Sequence, residues 1–172
     1  MSTSDAPTEA QLAQLQSLPM DAPLAALNLF KLNERAQYQP GDPEFGSPLA
    51  EVSGEEALGR YLAEAGKKLK DLGGRVVFST TVDQVMMGPD TLDFDIAAVM
   101  YFPTRSAFLA MLADPAFQSS SRHRRAGLAK HHMLHLAGDP FVAAETIEAL
   151  KQARESDDLT EYSSLDELKA TL

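Results

Sequence analysis

The chain has 172 residues, of which 44% are hydrophobic and 23% are charged, and these values are typical of one globular domain with short additions. Aspartate and glutamate number 25 against 15 lysines and arginines, and the resulting net charge of -10 disfavours nucleic acid and anionic membranes as partners. The absence of cysteine excludes disulfides, thiolate metal sites and cysteine nucleophiles. No apolar run is long enough to cross a bilayer, and the first 23 residues contain no lysine or arginine, so the sequence predicts a cytoplasmic protein.

The first half of the chain predicts a short helix, a strand, a long loop and an amphipathic helix, in that order, at residues 8–17, 24–32, 33–53 and 54–72. Thr8 is expected to cap the first helix. The strand is apolar on both faces, as a covered strand should be. The loop is rich in proline and glycine. Ser53 followed by Glu56 predicts a capping box at the start of the second helix.

The second half predicts two strands, two helices and a last strand, at residues 75–87, 94–102, 105–112, 115–126 and 129–136. Thr104 is expected to cap the first of these helices, and Asp114 with Pro115 begins the second. Further helices are expected over residues 141–154 and 164–172, beyond the main unit.

The predicted order over residues 24–137 is that of an α+β, ferredoxin-like βαββαβ protomer, with two helices on one face of an antiparallel sheet. Residues 1–23 are then an N-terminal arm with a short helix, residues 24–140 the domain, and residues 141–172 an acidic helical extension. Because the strands look apolar on both faces, something must cover the second face. A second copy of the chain would do so and close a dimeric α/β barrel, with the C-terminal helix as the competing cover.

Several segments of the chain resemble one family. They are LNLFKLNERAQY at residues 27–38, LGGR at 72–75, YFPTRSAFLAML at 101–112, DPAFQ at 114–118 and HRRA at 123–126. The family is the one catalogued as domain of unknown function 1330, in the dimeric α/β-barrel superfamily, and the resemblance extends over residues 24–140. It implies a homodimer of ferredoxin-like protomers, each with a pocket between sheet and helices, but no agreed reaction.

The resemblance leaves three functions open, because the superfamily contains cofactor-independent monooxygenases, muconolactone-isomerase-like enzymes and haem-binding proteins. The first is a monooxygenase- or isomerase-like enzyme without cofactor or metal, acting on a hydrophobic substrate with a carbonyl group. The second is a non-catalytic ligand-binding or structural dimer. The third is a haem-binding protein, with His123 or a histidine of the last strand as the ligand. Whether the protein is an enzyme stays undecided.

Strand alternation sorts the candidate residues by face. In the first strand, Ala25, Leu27 and Leu29 are expected to pack against the helices, and Asn28 to point the other way. Asn28 is then expected to share a cavity with Tyr101 and with His131 or His135. A buried amide without a partner costs about 1–3 kcal/mol, so it either orients a ligand carbonyl or bonds to a neighbouring group of the protein.

The candidate side chains fall into a group for catalysis and a group for ligand binding. Asn28, His123 and His131 are the catalytic candidates, although the spacing of the strand histidines does not suit a metal ion. The basic residues of the segment around Arg124 are expected to bind a small anionic ligand or to pair with acids of the chain such as those at 155–158. The predicted substrate-binding residues are Asn28, Phe30, Lys31, Tyr38, Tyr101, Arg105 and Arg124.

Overall fold

A computed structural model of the protein describes residues 6–89 and 91–137. Its elements are, in chain order, α1 (Glu9–Gln16), β1 (Leu24–Leu32), a short 3-10 turn (Pro48–Ala50), α2 (Gly54–Asp71), β2 (Arg75–Thr81), β3 (Ile96–Phe102), α3 (Arg105–Ala113), α4 (Pro115–Gly127) and β4 (Leu128–Ala137). The four strands form one antiparallel sheet in the order β2-β3-β1-β4. This is the predicted α+β, ferredoxin-like fold. The helices expected over 141–154 and 164–172 lie outside the described residues. Within the described ranges, no helix is long and apolar enough to span a membrane.

Side-chain caps begin the helices where the sequence predicts. Thr8 forms a complete capping box with Gln11 at the start of α1. Ser53, Thr104 and Asp114 each accept a hydrogen bond of 3.0 Å from the backbone N–H three residues later. These bonds satisfy N–H groups that have no partner inside the helix, so the local sequence fixes where α2, α3 and α4 begin.

The main core lies between the sheet and the helices, and it reverses the predicted faces of β1. Leu24, Ala26 and Phe30 are at most 2% exposed and pack with α2 and α3. Asn28 shares this face by alternation. The side chains of Ala25, Leu27 and Leu29 therefore lie on the opposite, outer face, contrary to the prediction. The outer set is wholly apolar and the inner set contains Asn28, so hydrophobicity alone favoured the wrong face for the core.

Strand β2 is shorter than predicted. Its ladder with β3 runs from Arg75 opposite Tyr101 to Thr81 opposite Ile96, with a bulge between Val76 and Phe78. The predicted strand over residues 75–87 is corrected to an end at Thr81, because β3 begins at Ile96 and offers no further ladder partner.

The N-terminal arm reaches the core at one residue. Leu15 of α1 is 6% exposed and belongs to the main core cluster. The chain after α1 is held to the start of α3, where the Arg105 guanidinium donates to the Pro19 carbonyl at 3.0 Å. The backbone N–H groups of Arg105 and Ser106 donate to the carbonyls of Ala22 and Met20. These bonds fix the entry of the chain into β1.

The outer face of the sheet is apolar and partly open to solvent. By register it carries alternating residues of all four strands, and Phe78 pairs with Val99, which pairs with Leu27, which pairs with Leu134. Phe78 on β2 is 47% exposed and Leu134 on β4 is 49% exposed. Because β2 and β4 are the two edges of the sheet, these exposed apolar side chains lie along both edges, whereas Ala25 and Val99 of the two central strands are 1% and 5% exposed.

Candidate functional site

Three side chains from β1, β4 and α4 form a hydrogen-bonded chain between sheet and helices, which we call the inner relay. The Asn28 amide nitrogen donates to the Ala26 carbonyl at 3.0 Å, and its Oδ1 lies 3.0 Å from Nε2 of His131. Nδ1 of His131 lies 3.0 Å from Nη1 of Arg124. Asn28 is 2% exposed, and a side-chain amide buried to this extent requires hydrogen-bond partners. Ala26 and His131 supply them.

The partners of His131 fix its protonation. Oδ1 of Asn28 only accepts and the Arg124 guanidinium only donates, so Nε2 carries the proton and Nδ1 accepts. Burial and the positive charge of Arg124 lower the pKa of His131 from 6.5 to about 3. The ring also lies against Phe30, with centroids 4.8 Å apart. His131 is therefore a neutral connector at physiological pH and holds Arg124 in one orientation.

A second polar group, the loop cluster, lies where the loop after β1 crosses α2 and α4. The Tyr38 hydroxyl lies 2.7 Å from Nδ1 of His123 and accepts from Nη1 of Arg60 at 3.3 Å. Nε2 of His123 faces Oε1 of Glu44 at 3.8 Å, and Glu44 accepts three hydrogen bonds, of 2.9 Å, 3.0 Å and 3.2 Å, from the guanidinium of Arg122. Tyr38 and Glu44 are each 7% exposed.

Charge and burial act in opposite directions in the loop cluster. The bond from Arg122 lowers the pKa of Glu44, which stays ionised. Burial raises the pKa of Tyr38, and Arg60 opposes this shift. Burial, followed by the positive charge of Arg122, lowers the pKa of His123. The resting state is thus a neutral tyrosine that donates to a neutral histidine, beside an Arg–Glu pair.

The basic segment finds its acidic partners in the long loop. Besides the Arg122–Glu44 pair, Nη2 of Arg125 lies 2.6 Å from Oδ1 of Asp42. The acids at 155–158, named as partners from the sequence, lie outside the described residues. Asp42 and Glu44 were not singled out in the sequence, because an irregular loop has no periodicity that would place them next to a helix.

The other predicted residues do not gather in one cavity. Tyr101 lies opposite Ala25 on the outer face, so the expected convergence of Tyr101 with Asn28 is wrong. Lys31 pairs with Asp93 at 2.7 Å and Asp95 at 3.0 Å. Arg105 holds the N-terminal arm, and His135 lies against Phe108 with ring centroids 4.7 Å apart. Only Asn28, Phe30, His131 and Arg124 meet at the inner relay, and Tyr38 meets His123 in the loop cluster.

A shallow depression of about 340 Å³ lies beside the end of β1. Three of its seven lining residues are acidic and one is a lysine, and the lining consists of Lys31, Leu32, Asn33, Glu34, Ser53, Glu55 and Asp95. The carboxylate of Asp95 is already taken by Lys31 and by the backbone N–H of Leu32.

The family follows from a sequence match that includes β2, β3, β4, α2, α3 and α4. The pattern described as "Domain of unknown function (DUF1330)" matches residues 48–139, more than half of the chain. The chain belongs to the DUF1330 family. The match contains His123, Arg124 and His131 but begins after Asn28 and Tyr38, so each polar cluster of this DUF1330 protein combines residues from inside and outside it.

Solved structures agree with the fold of this DUF1330 protein. RPA0582 from Rhodopseudomonas palustris, described as a protein of unknown function, matches with a TM-score of 0.68 at 27% identity, over 80% of this chain and 98% of that one. A methylated RPA0582 structure matches with a TM-score of 0.69 at 27% identity, over 82% and 99% of the two chains. A hydroxynitrile lyase from Passiflora edulis, at 11% identity and a TM-score of 0.38, is too distant to carry an argument. No curated protein sequence matches the DUF1330 chain.

Histidine, aspartate and glutamate are the side chains that could bind a metal ion or a haem iron in this protein. Over residues 6–89 and 91–137 there is no group of three histidine, aspartate or glutamate side chains placed to hold a metal ion. Both ring nitrogens of His131 are hydrogen-bonded, and Nδ1 of His123 is bonded to Tyr38. A haem iron on His131 would have to displace Asn28 or Arg124, so the inner relay of this DUF1330 protein does not fit that group.

Proposed function

We propose that the protein is a homodimer in which the apolar outer faces of two sheets pack together, and that each subunit binds a small organic anion. The observation that carries the dimer is the open face, on which Phe78, Leu134 and Leu136 are 47%, 49% and 41% exposed. Soluble monomers rarely expose large contiguous apolar patches, so apolar side chains that are open along both edges of one sheet face favour a protein partner there. Burying such side chains fully stabilises by about 1.5–3 kcal/mol each.

A second copy of the chain suits this face because the face is complementary to itself. In a two-fold dimer the same patch is used by both subunits, so an apolar patch meets an apolar patch. A second copy of the chain therefore packs on this face. The mass of the full chain in solution distinguishes this dimer from a monomer in which another segment of the same chain packs there.

The dimer is tested by light scattering after size exclusion of the full chain. We expect twice the chain mass for the wild type and the single-chain mass for the variant carrying Leu134→Lys and Leu136→Lys. Leu49→Lys is the matched control, since Leu49 is 60% exposed on the loop and should leave the dimer intact. A monomeric wild type, or a double variant that stays dimeric, would contradict the proposal.

The inner relay supports the ligand half of the proposal. His131 accepts from Arg124 and so orients the guanidinium, which lies 5.7 Å from the Tyr61 ring centroid. A fixed guanidinium is the best side chain for a carboxylate, and the rings of Tyr61 and Phe30 offer apolar contact. Because His131 is neutral and its Nδ1 lone pair is occupied, the geometry favours binding over proton transfer at this relay.

Benzoate is a suitable probe for this site, since it joins a carboxylate to a small apolar ring. We expect benzoate to raise the melting temperature of the wild type in a concentration-dependent way, as any ligand of the native state does. Arg124→Gln should abolish this shift. Lys67→Gln, an equal loss of charge at an exposed position of α2, should retain it. Equal shifts in both variants would show that benzoate does not use Arg124.

A further inference from the structure

The loop cluster has the arrangement of an activated nucleophile, and the binding role proposed above does not use it. The Tyr38 oxygen accepts from Arg60, which can only donate, so the single hydroxyl proton is directed at Nδ1 of His123. The 2.7 Å separation is within the range in which a base takes a proton from a nucleophile.

We propose that Tyr38 and His123 form a nucleophile–base pair that accepts the acyl group of small, uncharged esters. The pair acts within one protomer and does not require the dimer or the anion site. The sequence named Tyr38 and His123 separately as candidates but did not pair them, because they lie 85 positions apart and meet only when the loop packs on α4.

Fixed neighbours hold both members of the pair in place. Glu44 faces the far nitrogen of His123 at 3.8 Å, so it favours the imidazolium that forms when the ring takes a proton. Arg122 holds that carboxylate through three hydrogen bonds. Arg60 donates to the Tyr38 oxygen and so stabilises the phenolate as its proton passes to His123. A phenol is more acidic than the aliphatic hydroxyl that serine enzymes activate with a histidine, and Arg60 opposes the rise in the pKa of Tyr38 that burial causes.

The reaction balances without an added oxidant, reductant or metal. The Tyr38 oxygen attacks the carbonyl carbon of the ester and forms an O–C bond, while its proton passes to Nδ1 of His123. The bond from carbon to the leaving oxygen then breaks, and the imidazolium returns the proton to the leaving group. The products are an acylated Tyr38 and a free alcohol or phenol.

Burial and charge set the substrate class. Tyr38 is 7% exposed, so a large acyl group is excluded from its oxygen. Arg122 is paired with Glu44 and Arg60 with Glu56, so the cluster offers no strong attraction to an ionised substrate. The charged groups around the pair come from the loop, α2 and α4, and are Asp42, Glu44, Glu56, Arg60 and Arg122.

The test treats the full chain with p-nitrophenyl acetate and maps the acetyl groups by mass spectrometry of peptides. We expect a burst of p-nitrophenol and one acetyl group on Tyr38. Tyr61 is an internal control, because it is 6% exposed against 7% for Tyr38 and should stay unmodified. Tyr38→Phe should abolish the burst. His123→Asn, which keeps the nucleophile, should slow acetylation of Tyr38 on the order of a hundredfold.

Circular dichroism of each variant establishes that it is folded before its rate is compared. The proposal is overturned if folded wild-type protein gains no acetyl group on Tyr38, or if Tyr61 is acetylated at the same rate. It is also overturned if His123→Asn acetylates Tyr38 as fast as the wild type does.

Discussion

The inner relay and the loop cluster each hold a histidine between two polar partners, but only the loop cluster gives the histidine a proton to accept. In the inner relay, His131 lies between an amide oxygen and a guanidinium, neither of which exchanges a proton near neutral pH. In the loop cluster, His123 lies between a tyrosine hydroxyl and a carboxylate. The same side chain is thus an orienting group in one place and a base in the other, according to its partners.

The largest expected loss of stability comes from removing Asn28, the buried end of the inner relay. Asn28→Ala leaves the Nε2–H of His131 and the carbonyl of Ala26 without their side-chain partner. A buried donor left unsatisfied costs about 1–3 kcal/mol, and we expect the loss in free energy of unfolding to lie at the upper end of that range. Urea unfolding at pH 7 measures it. An unchanged urea midpoint would show that water replaces the Asn28 amide as the partner of His131, and that the inner relay is accessible to solvent.

The second prediction concerns pH and follows from the low pKa of His131. The pKa of His131 is about 3 in the folded protein against 6.5 in the unfolded chain. Between these two values the unfolded state binds a proton at His131 and the native state does not. Stability is therefore complete above pH 6.5 and is lost as the pH falls from 6.5 towards 3. Between pH 7 and pH 5 the loss from His131 should be on the order of 2 kcal/mol.

His131→Gln is the control for this pH dependence. Glutamine can donate to Asn28 and accept from Arg124, but it does not titrate. The other histidines with a lowered pKa, His123 and His135, are present in both proteins, so the difference between the two pH profiles isolates His131. Parallel profiles would contradict the assigned protonation state.

The smallest expected effect is the loss of one hydrogen bond in the loop cluster. Tyr38→Phe keeps the ring in its apolar contacts and removes the hydroxyl between His123 and Arg60, at a cost of about 1 kcal/mol. Thermal unfolding measures this change, which should be smaller than that of Asn28→Ala. A larger loss than in Asn28→Ala would mean that the loop cluster is chiefly a structural clamp.

The sequence predicted the parts of the fold that depend on local signals. The caps at Ser53, Thr104 and Asp114 and the apolar run of β1 are local, and each lies where it was expected. The end of β2 at Thr81 was missed, because it depends on where β3 offers a partner rather than on the residues that follow.

The candidate site was predictable only as a set of residue types. Asn28 and His131 meet because β1 and β4 are neighbours, which the fold class implies. Asn28 does not meet Tyr101, because Asn28 was assigned to the outer face of β1 and in fact lies on the face that packs against the helices. Glu44 was missed because its role depends on how an irregular loop packs against α4, which local sequence does not specify.

The difference between the two histidines is tested most directly by a nitrogen-15 NMR titration of the histidine side chains in the full chain. We expect His131 to remain the neutral Nε2–H tautomer from pH 8 down to pH 5, since its pKa is about 3. His131→Gln identifies its resonances by their loss. A ring at His131 that protonates near the ordinary value of 6.5, or that carries its proton on Nδ1, would contradict the account.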